Sequence, residues 1–392
     1  MKVVHLTTID KGGAFKAVKR ISESMSQNGI ESCIFVRSNV AECDVNEIMT
    51  NNVQVFFSKA RNFLNLLLSS SDLCIDRVGY NISKNHYIVG ADVVVLHWIN
   101  SFISPYGIEK LLKTGKKVIW VMHDMYPFTG GCHYSLDCSE QECRFCYMAK
   151  SKELQCSIRK MMKIKRRISQ YPNMHYVAIS SWEYDVASTG LGLPSNRISM
   201  INNPIDVSVF KPLDRETLRM EAELNGKKVV LFGADRMTDK VKGMQYIRDV
   251  IKRNDINNIV YMCFGADKED YPEFSDVIFL GRIDDENELA KWYNVADVYL
   301  STPVQEAFGY TICEALACGT PVVAHGIGGI LDQVVHKENG YLTQVGDCDE
   351  LVQGIDYCLQ HKDDMRINAK KSVERLSYSA KGKEWLDLLT KK

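Results

Sequence analysis

Residues 306–324 read EAFGYTICEALACGTPVVA, with two carboxylates, Glu306 and Glu314, eight positions apart. As packing, the stretch is a short helix: Ile312, Ala315 and Leu316 make an apolar stripe, Gly319 stops it, and Pro321 leads into a strand. Acid in the first turn also suits a helix dipole with no ligand involved. The chemical alternative gives each group a task. The backbone N–H groups of Gly309, Tyr310 and Thr311, just after Phe308, would open a helix toward an anion. Glu314, one turn in, is placed to accept both hydroxyls of a ribose, as acidic residues do in dinucleotide folds. Glu306, ahead of the helix, would reach sugar hydroxyls beyond the phosphates.

A second stretch, GADRMTDKVKGMQYI, carries the opposite charge. A glycine turn at Gly233, then Arg236 and Lys242, then Gly243 and an apolar helix, suits a diphosphate, since Arg forks onto phosphate oxygens and Lys adds a mobile point charge. A solvated basic loop is the plain alternative. In the first half of the chain, TTIDKGGAFKAVKRI sets Gly12-Gly13 between a strand and a helix, which any tight turn would also use. VMHDMYPFTGGCHYS puts His123 beside Asp124 at the end of an apolar run, and His97-Trp98 ends another.

The elements that must position these residues are short β-branched runs alternating with helical patterns. Strands are predicted at 2–6, 31–36, 92–98, 117–122 and 174–180, and after INNPIDVSVFKP the series restarts at 228–234, 258–265, 276–281, 297–302 and 321–325. Two such series predict two doubly wound α/β domains with a hinge near Asn203-Pro204. In such sheets ligands sit at the carboxyl ends of strands, where every motif above falls.

The 392 residues suffice for two cores. Hydrophobic content of 45% and charged content of 25% fit a globular protein, and a net charge of -1 argues against a dedicated nucleic-acid binder. No apolar run of signal-peptide or membrane-spanning length is present, which predicts a cytoplasmic protein. Thirteen cysteines then mean thiols or metal ligands before disulfides.

The pairing of EAFGYTICEALACGTPVVA with DRMTDKVKG resembles the donor site of retaining glycosyltransferases of the GT-B fold, in the large group 1 family that includes sucrose synthases and mannosyltransferases. HDMYPFTGGCHY looks like transferases that build bacterial surface polysaccharides. The resemblance implies two Rossmann-like domains facing a central cleft, at 1–205 for the acceptor and 206–374 for the nucleotide sugar, with a helix at 375–392 packing back on the first. It implies that Glu306 holds the donor sugar and Glu314 the ribose, and that Arg236 and Lys242 bind the diphosphate. Gly265 and the Gly281-Arg282-Ile283 turn would frame the base, Gly12-Gly13 would let backbone approach the donor, and His123 would touch donor sugar or phosphate. No Asp-x-Asp sequence stands beside these motifs, so positive side chains are expected in place of a metal. The implied acceptor is a polyprenyl-diphosphate-linked saccharide at the inner membrane face. A sugar-nucleotide epimerase or phosphorylase on the same fold, or a zinc-bearing scaffold, is the alternative.

Three further features keep two readings each. Cys132, Cys138, Cys143 and Cys146, with His133 adjacent, could fold around structural zinc or remain thiols. The run KSKELQCSIRKMMKIKRR from Lys150 to Arg167 has eight Lys or Arg against one Glu, and is either a solvated helix face or a contact for anionic lipid. The stretch 53–70, with Phe56, Phe57, Phe63 and Leu67, is a second membrane candidate or a core helix.

Overall fold

A computed structural model describes residues 1–38, 46–47, 73–135, 138, 143–234, 237, 239–253 and 259–391. Arg236 and the stretch 53–70 lie outside the described residues. The chain divides into two compact units, Met1–Pro204 with Lys381–Lys392, and Ile205–Ala380.

The first unit is a parallel sheet of β1 (Lys2–Ile9), β2 (Glu31–Ser38), β3 (Asn46–Glu47), β4 (Val93–Leu96), β5 (Lys117–Met122), β6 (Met174–Ala178) and β7 (Ile198–Met200), in the order β3-β2-β1-β4-β5-β6-β7. The order reverses between β1 and β4, which pair from Val3↔Val93 to Leu6↔Leu96. Helices cover the sheet, so β4 (VVVL) is buried at every residue, the continuous apolar reading typical of a parallel strand. Lys117 reaches the carbonyls of Leu388 and Leu389, tying the end of the last helix (Tyr378–Thr390) to β5.

The second unit repeats the scheme with β8 (Lys228–Gly233), β9 (Ile259–Phe264), β10 (Val277–Phe279), β11 (Val298–Ser301), β12 (Val322–His325) and β13 (Gly340–Thr343), in the order β10-β9-β8-β11-β12-β13. Its switch point lies between β8 and β11. At the amino ends of these strands, buried Asp297 gathers Arg215, Arg219 (3.1 Å) and Lys362 (3.4 Å). The ten predicted strands all form. β3, β7 and β13 were not predicted; each is four residues or fewer, too short for a periodic signal.

The basic run forms the helix Lys152–Ile168, capped by Ser151, whose hydroxyl accepts from the Leu154 N–H. Its charge does not all face water. Lys165 is fully buried: its ammonium donates to the carbonyls of Tyr126 and Thr129 (2.9 Å to the latter) and sits 3.5 Å from the Tyr126 ring centre. Burial pushes Lys165 down to about 8, against the attraction of Asp76. Arg166 donates to the Gly190 carbonyl (3.1 Å), and Arg167 pairs with Glu109 (2.9 Å). Lys165, Arg166 and Arg167 are therefore each engaged with the protein itself, Lys165 from within the core and Arg167 at the surface. Lys165→Met leaves two buried carbonyls without their donor and should lower the unfolding free energy by about 3 kcal/mol in urea titration. An unchanged midpoint would contradict this internal role.

Candidate active site

In the second unit the candidate residues gather at the carboxyl ends of β8, β9, β11 and β12. After β8 the chain turns through a short 3-10 segment, Lys240–Lys242, capped by Asp239. Gly243 follows at φ 72°, and a Cβ there would stand 1.8 Å from the Thr302 carbonyl oxygen. Thr302 returns a hydroxyl bond to the Gly243 carbonyl (3.0 Å), and Val304 N–H donates to the Val241 carbonyl (2.9 Å). These crossings bring Lys242 to Glu306: the ammonium lies 2.8 Å from a carboxylate oxygen, both side chains half-buried. Gly328 and Gly329 press on the same segment from the loop after β12. A Cβ on Gly328 would lie 2.0 Å from the Glu306 carbonyl oxygen, and Gly329 N–H donates to that oxygen (3.0 Å). His325 buttresses it from behind. Its Nδ1–H donates to the Pro303 carbonyl (2.9 Å), and its Nε2 accepts from Gly346 N–H (3.2 Å).

The helix Tyr310–Ala317 begins at Gly309, φ 89°, and no side chain caps it. Its first N–H groups are therefore not taken by a capping side chain, unlike those capped by Ser151, Ser180, Asp285 or Asp347. Tyr310 and Thr311 are half-buried there, while Phe308 is buried and meets Tyr310 edge to face at 5.3 Å. Glu314 is buried, and one carboxylate oxygen accepts from the Tyr293 hydroxyl (3.2 Å). Burial, with Glu314 alongside, raises Tyr293 well above its usual range, so it stays a donor. Gly265, at φ 80°, is required by close approach, since a Cβ would fall 1.7 Å from the Ala234 oxygen; its N–H donates to the Gly281 carbonyl (2.8 Å). Arg282 is exposed and pairs with Asp284 (2.8 Å), and Ile283 is half-buried.

In the first unit Gly12 takes φ 83° at the start of the helix Gly12–Gln27, which likewise has no side-chain cap, and the space a Cβ of Gly13 would fill is open. His123, just past β5, is half-buried and belongs to a chain of imidazoles: His5 Nδ1 lies 2.8 Å from His97 Nε2, and His97 Nδ1 lies 2.9 Å from His123 Nε2. Burial pushes His5 down to about 3 and His123 to about 4, and holds His97 well below the usual range. Sequence reasoning named His123 and His97 but missed His5, which stands inside an ordinary apolar strand. It also missed Tyr293, His325 and the Gly326–Gly329 turn; the glycines following a buried strand were the available signal for the last.

His133, read beside the cysteines, instead donates from Nδ1 to Asp124 (2.7 Å), and its Nε2 lies 3.0 Å from the Asn100 amide. Burial alone would lower His133, but Asp124 outweighs it and the net shift is upward. Cys132, Cys138, Cys143 and Cys146 are free thiols. Burial raises Cys132 to about 12 and also raises Cys143, which accepts from Gly130 N–H (3.2 Å). Among the described residues no group of three or more His, Cys, Asp or Glu is placed to hold a metal ion, so the zinc alternative finds no ligand set there. No described helix is long and apolar enough to cross a membrane.

Comparison with known proteins bears first on the second unit. Residues 226–361 match the family described as glycosyl transferases group 1. The chain carries a glycosyl transferases group 1 domain. The chain is 28% identical over 244 residues to an uncharacterized glycosyltransferase of Methanocaldococcus jannaschii, covering 56% of this chain and 61% of that protein. It thus spans about three-fifths of that relative's length. It is 24% identical over 364 residues to an uncharacterized protein in the cps region of Klebsiella pneumoniae, covering 91% and 89%. Anabaena HepE, solved with UDP, superposes over 100% of both chains with a TM-score of 0.71 at 16% identity. WaaG, a glycosyltransferase involved in lipopolysaccharide biosynthesis, does so with a TM-score of 0.65 at 13% identity. The fold is GT-B, as the resemblance implied. The one Asp-x-Asp sequence of the chain, Asp347-Cys348-Asp349, lies in the matched stretch: Asp347 caps a helix, and Asp349, exposed, pairs with Arg253.

The imidazoles set an acid limit. A histidine whose folded value is depressed binds protons more readily unfolded, so its contribution is complete above the unfolded value near 6.5 and is lost as pH falls. With His5 held near 3 and His123 near 4, and with His175 of β6, beside the Ser199 hydroxyl, pushed by burial to about 4 as well, the melting temperature should fall steadily between pH of about 6.5 and about 4. A melting temperature constant over that window would show that these rings are not kept neutral by the fold.

Proposed function

We propose that the protein transfers a hexose from a nucleoside diphosphate sugar to a lipid-linked saccharide of bacterial surface polysaccharide, with retention at the anomeric carbon. A UDP-sugar is the favoured donor and a GDP-sugar the second choice. The observation that carries the reading is the Lys242–Glu306 pair, 2.8 Å apart at the carboxyl edge of a Rossmann-like sheet, beside the uncapped helix start at Gly309 with Glu314 behind it. The UDP complex of Anabaena HepE supports a nucleotide-sugar co-substrate. The cps-region relative and WaaG support a surface-polysaccharide setting.

In this reading Lys242 exchanges Glu306 for the diphosphate, and Glu306 turns to the sugar hydroxyls. The helix N-terminus takes a second phosphate edge, and Glu314 takes the ribose hydroxyls, for which Tyr293 holds it in place. The bond between the anomeric carbon and the phosphate oxygen breaks with its electron pair going to the phosphate. Lys242, the helix N-terminus and Arg236 stabilise that charge, each fixed donor contributing about 3–4 kcal/mol. The acceptor hydroxyl attacks on the face the phosphate leaves, and its proton passes to the departing phosphate oxygen. Gly12-Gly13 and His123 serve the donor from the first unit, and Gly265 with Arg282 and Ile283 frames the base. The acceptor's lipid would draw the protein to the inner membrane face through the exposed part of the basic helix, Lys160 and Lys163 included.

A screen of UDP- and GDP-sugars against lipid-diphosphate-linked saccharides, following released nucleotide and the anomeric configuration of the product, tests the reading. Release of a free sugar isomer without acceptor would favour an epimerase instead. Glu314→Ala should weaken nucleotide binding roughly tenfold to a hundredfold, since a charged hydrogen bond contributes about 1.5–3 kcal/mol. Glu306→Ala should abolish most transfer while leaving UDP binding nearly intact. Calorimetry showing the same UDP affinity in Glu314→Ala would refute the ribose assignment.

In this reading Lys242 and Arg236 take the part a divalent ion would otherwise play, so turnover should persist in excess EDTA. Loss of activity in EDTA, restored by manganese, would overturn that part of the mechanism.

A further inference from the structure

The imidazole chain places a constraint on His123 that its own position does not reveal. Three rings share two N···N contacts, His5 Nδ1 to His97 Nε2 at 2.8 Å and His97 Nδ1 to His123 Nε2 at 2.9 Å. His5 and His97 are buried, and His123 alone keeps partial exposure. Each contact needs one proton between two nitrogens. If every ring is neutral, one proton per ring allows only two arrangements, all on Nδ1 or all on Nε2. A doubly protonated His97 would put a charge in the core, which burial opposes.

The far end of the chain chooses between the two. Among the described residues His5 Nε2 is buried with no hydrogen-bond partner. With the protons on Nε2 that atom would be an orphaned N–H donor; with the protons on Nδ1 it is only an unused lone pair. Buried orphan donors are the rarer and costlier of the two. The protons therefore sit on Nδ1 throughout. His5 donates to His97, His97 donates to His123 Nε2, and His123 has its remaining nitrogen, Nδ1–H, as a donor.

We propose that His5 and His97 are positioning residues that fix the tautomer of His123, so that His123 meets the donor's sugar or phosphate oxygen as a neutral N–H donor and not as a base. The ligand in this statement rests on the proposed function; the order of the protons does not. In this order the one lone pair of His123, on Nε2, is taken up by the His97 N–H, which leaves His123 no nitrogen to act as a base.

Full-length protein carrying 15N-histidine decides it at neutral pH, where long-range proton–nitrogen spectra distinguish Nδ1–H, Nε2–H and imidazolium. All three rings should be neutral with the proton on Nδ1. An Nε2–H signal from any of them, or an imidazolium at His123, overturns the proposal. His97→Gln supplies an amide N–H in place of the ring donor and should preserve the His123 tautomer. His97→Leu should bring out the Nε2–H form and raise KM for UDP-glucose about tenfold, the value of one hydrogen bond, with a smaller change in kcat. An unchanged His123 tautomer in His97→Leu overturns the relay; if that variant does not fold, the wild-type spectrum still decides. Should the predicted proton order be found while neither UDP nor UDP-glucose moves the His123 signals, the ligand assignment fails and the relay stands.

Discussion

In the second unit backbone meets backbone at the carboxyl edge of the sheet where no Cβ fits, and three of these contacts set the position of the candidate charges. Gly265 lies against the Ala234 carbonyl, Gly243 against that of Thr302, and Gly328 against that of Glu306. Each joins a loop to the loop of a neighbouring strand, so the ends of β8, β9, β11 and β12 become one layer and not four independent turns. Lys242 stands beside Glu306 because the glycine after the lysine and the glycine behind the glutamate both close up on backbone. A side chain at any of the three would separate the loops by more than a hydrogen bond can span.

Once the backbone is fixed, burial decides the charge state of what it holds. In the second unit the half-buried Lys242 and Glu306 each neutralise the other, and the pair is near enough to water to be exchanged for a ligand. Glu314, deeper, is met by a hydroxyl that stays protonated. In the first unit the corresponding edge is drier and is lined with imidazoles held neutral by burial, a solution that avoids an uncompensated charge. Asp124, which burial would raise, is kept ionised by His133 and lies below its usual range.

The basic helix shows how a charge count misleads and periodicity corrects it. Lys165 occupies the same stripe as Leu154, Ile158, Met161 and Ile168, all buried, and that 3.6-residue spacing is written in the sequence. A lysine on such a stripe must find acceptors inside, and it finds two carbonyls of the loop that follows β5. The loop bearing HDMYPFTGG is thus anchored from beneath by a residue that composition alone assigns to the surface.

The alternation of β-branched runs with helical patterns determined the doubly wound architecture, and parallel strands with helical returns leave their loops, and so the chemistry, at the carboxyl ends. The sequence also determined which residues carry charge there, since Glu306, Glu314 and Lys242 could be read from type and spacing within one or two turns. Only the tertiary structure decided who meets whom. Lys242 and Glu306 are 64 residues apart, Tyr293 and Glu314 are 21 apart, and His5 lies 92 residues from His97. The physical reason is strand order. A hydrogen bond reaches about 3 Å, and whether two strand ends come that close depends on which strands are neighbours. Placing β4 beside β1, and β11 beside β8, is a decision of the whole sheet that no local pattern records.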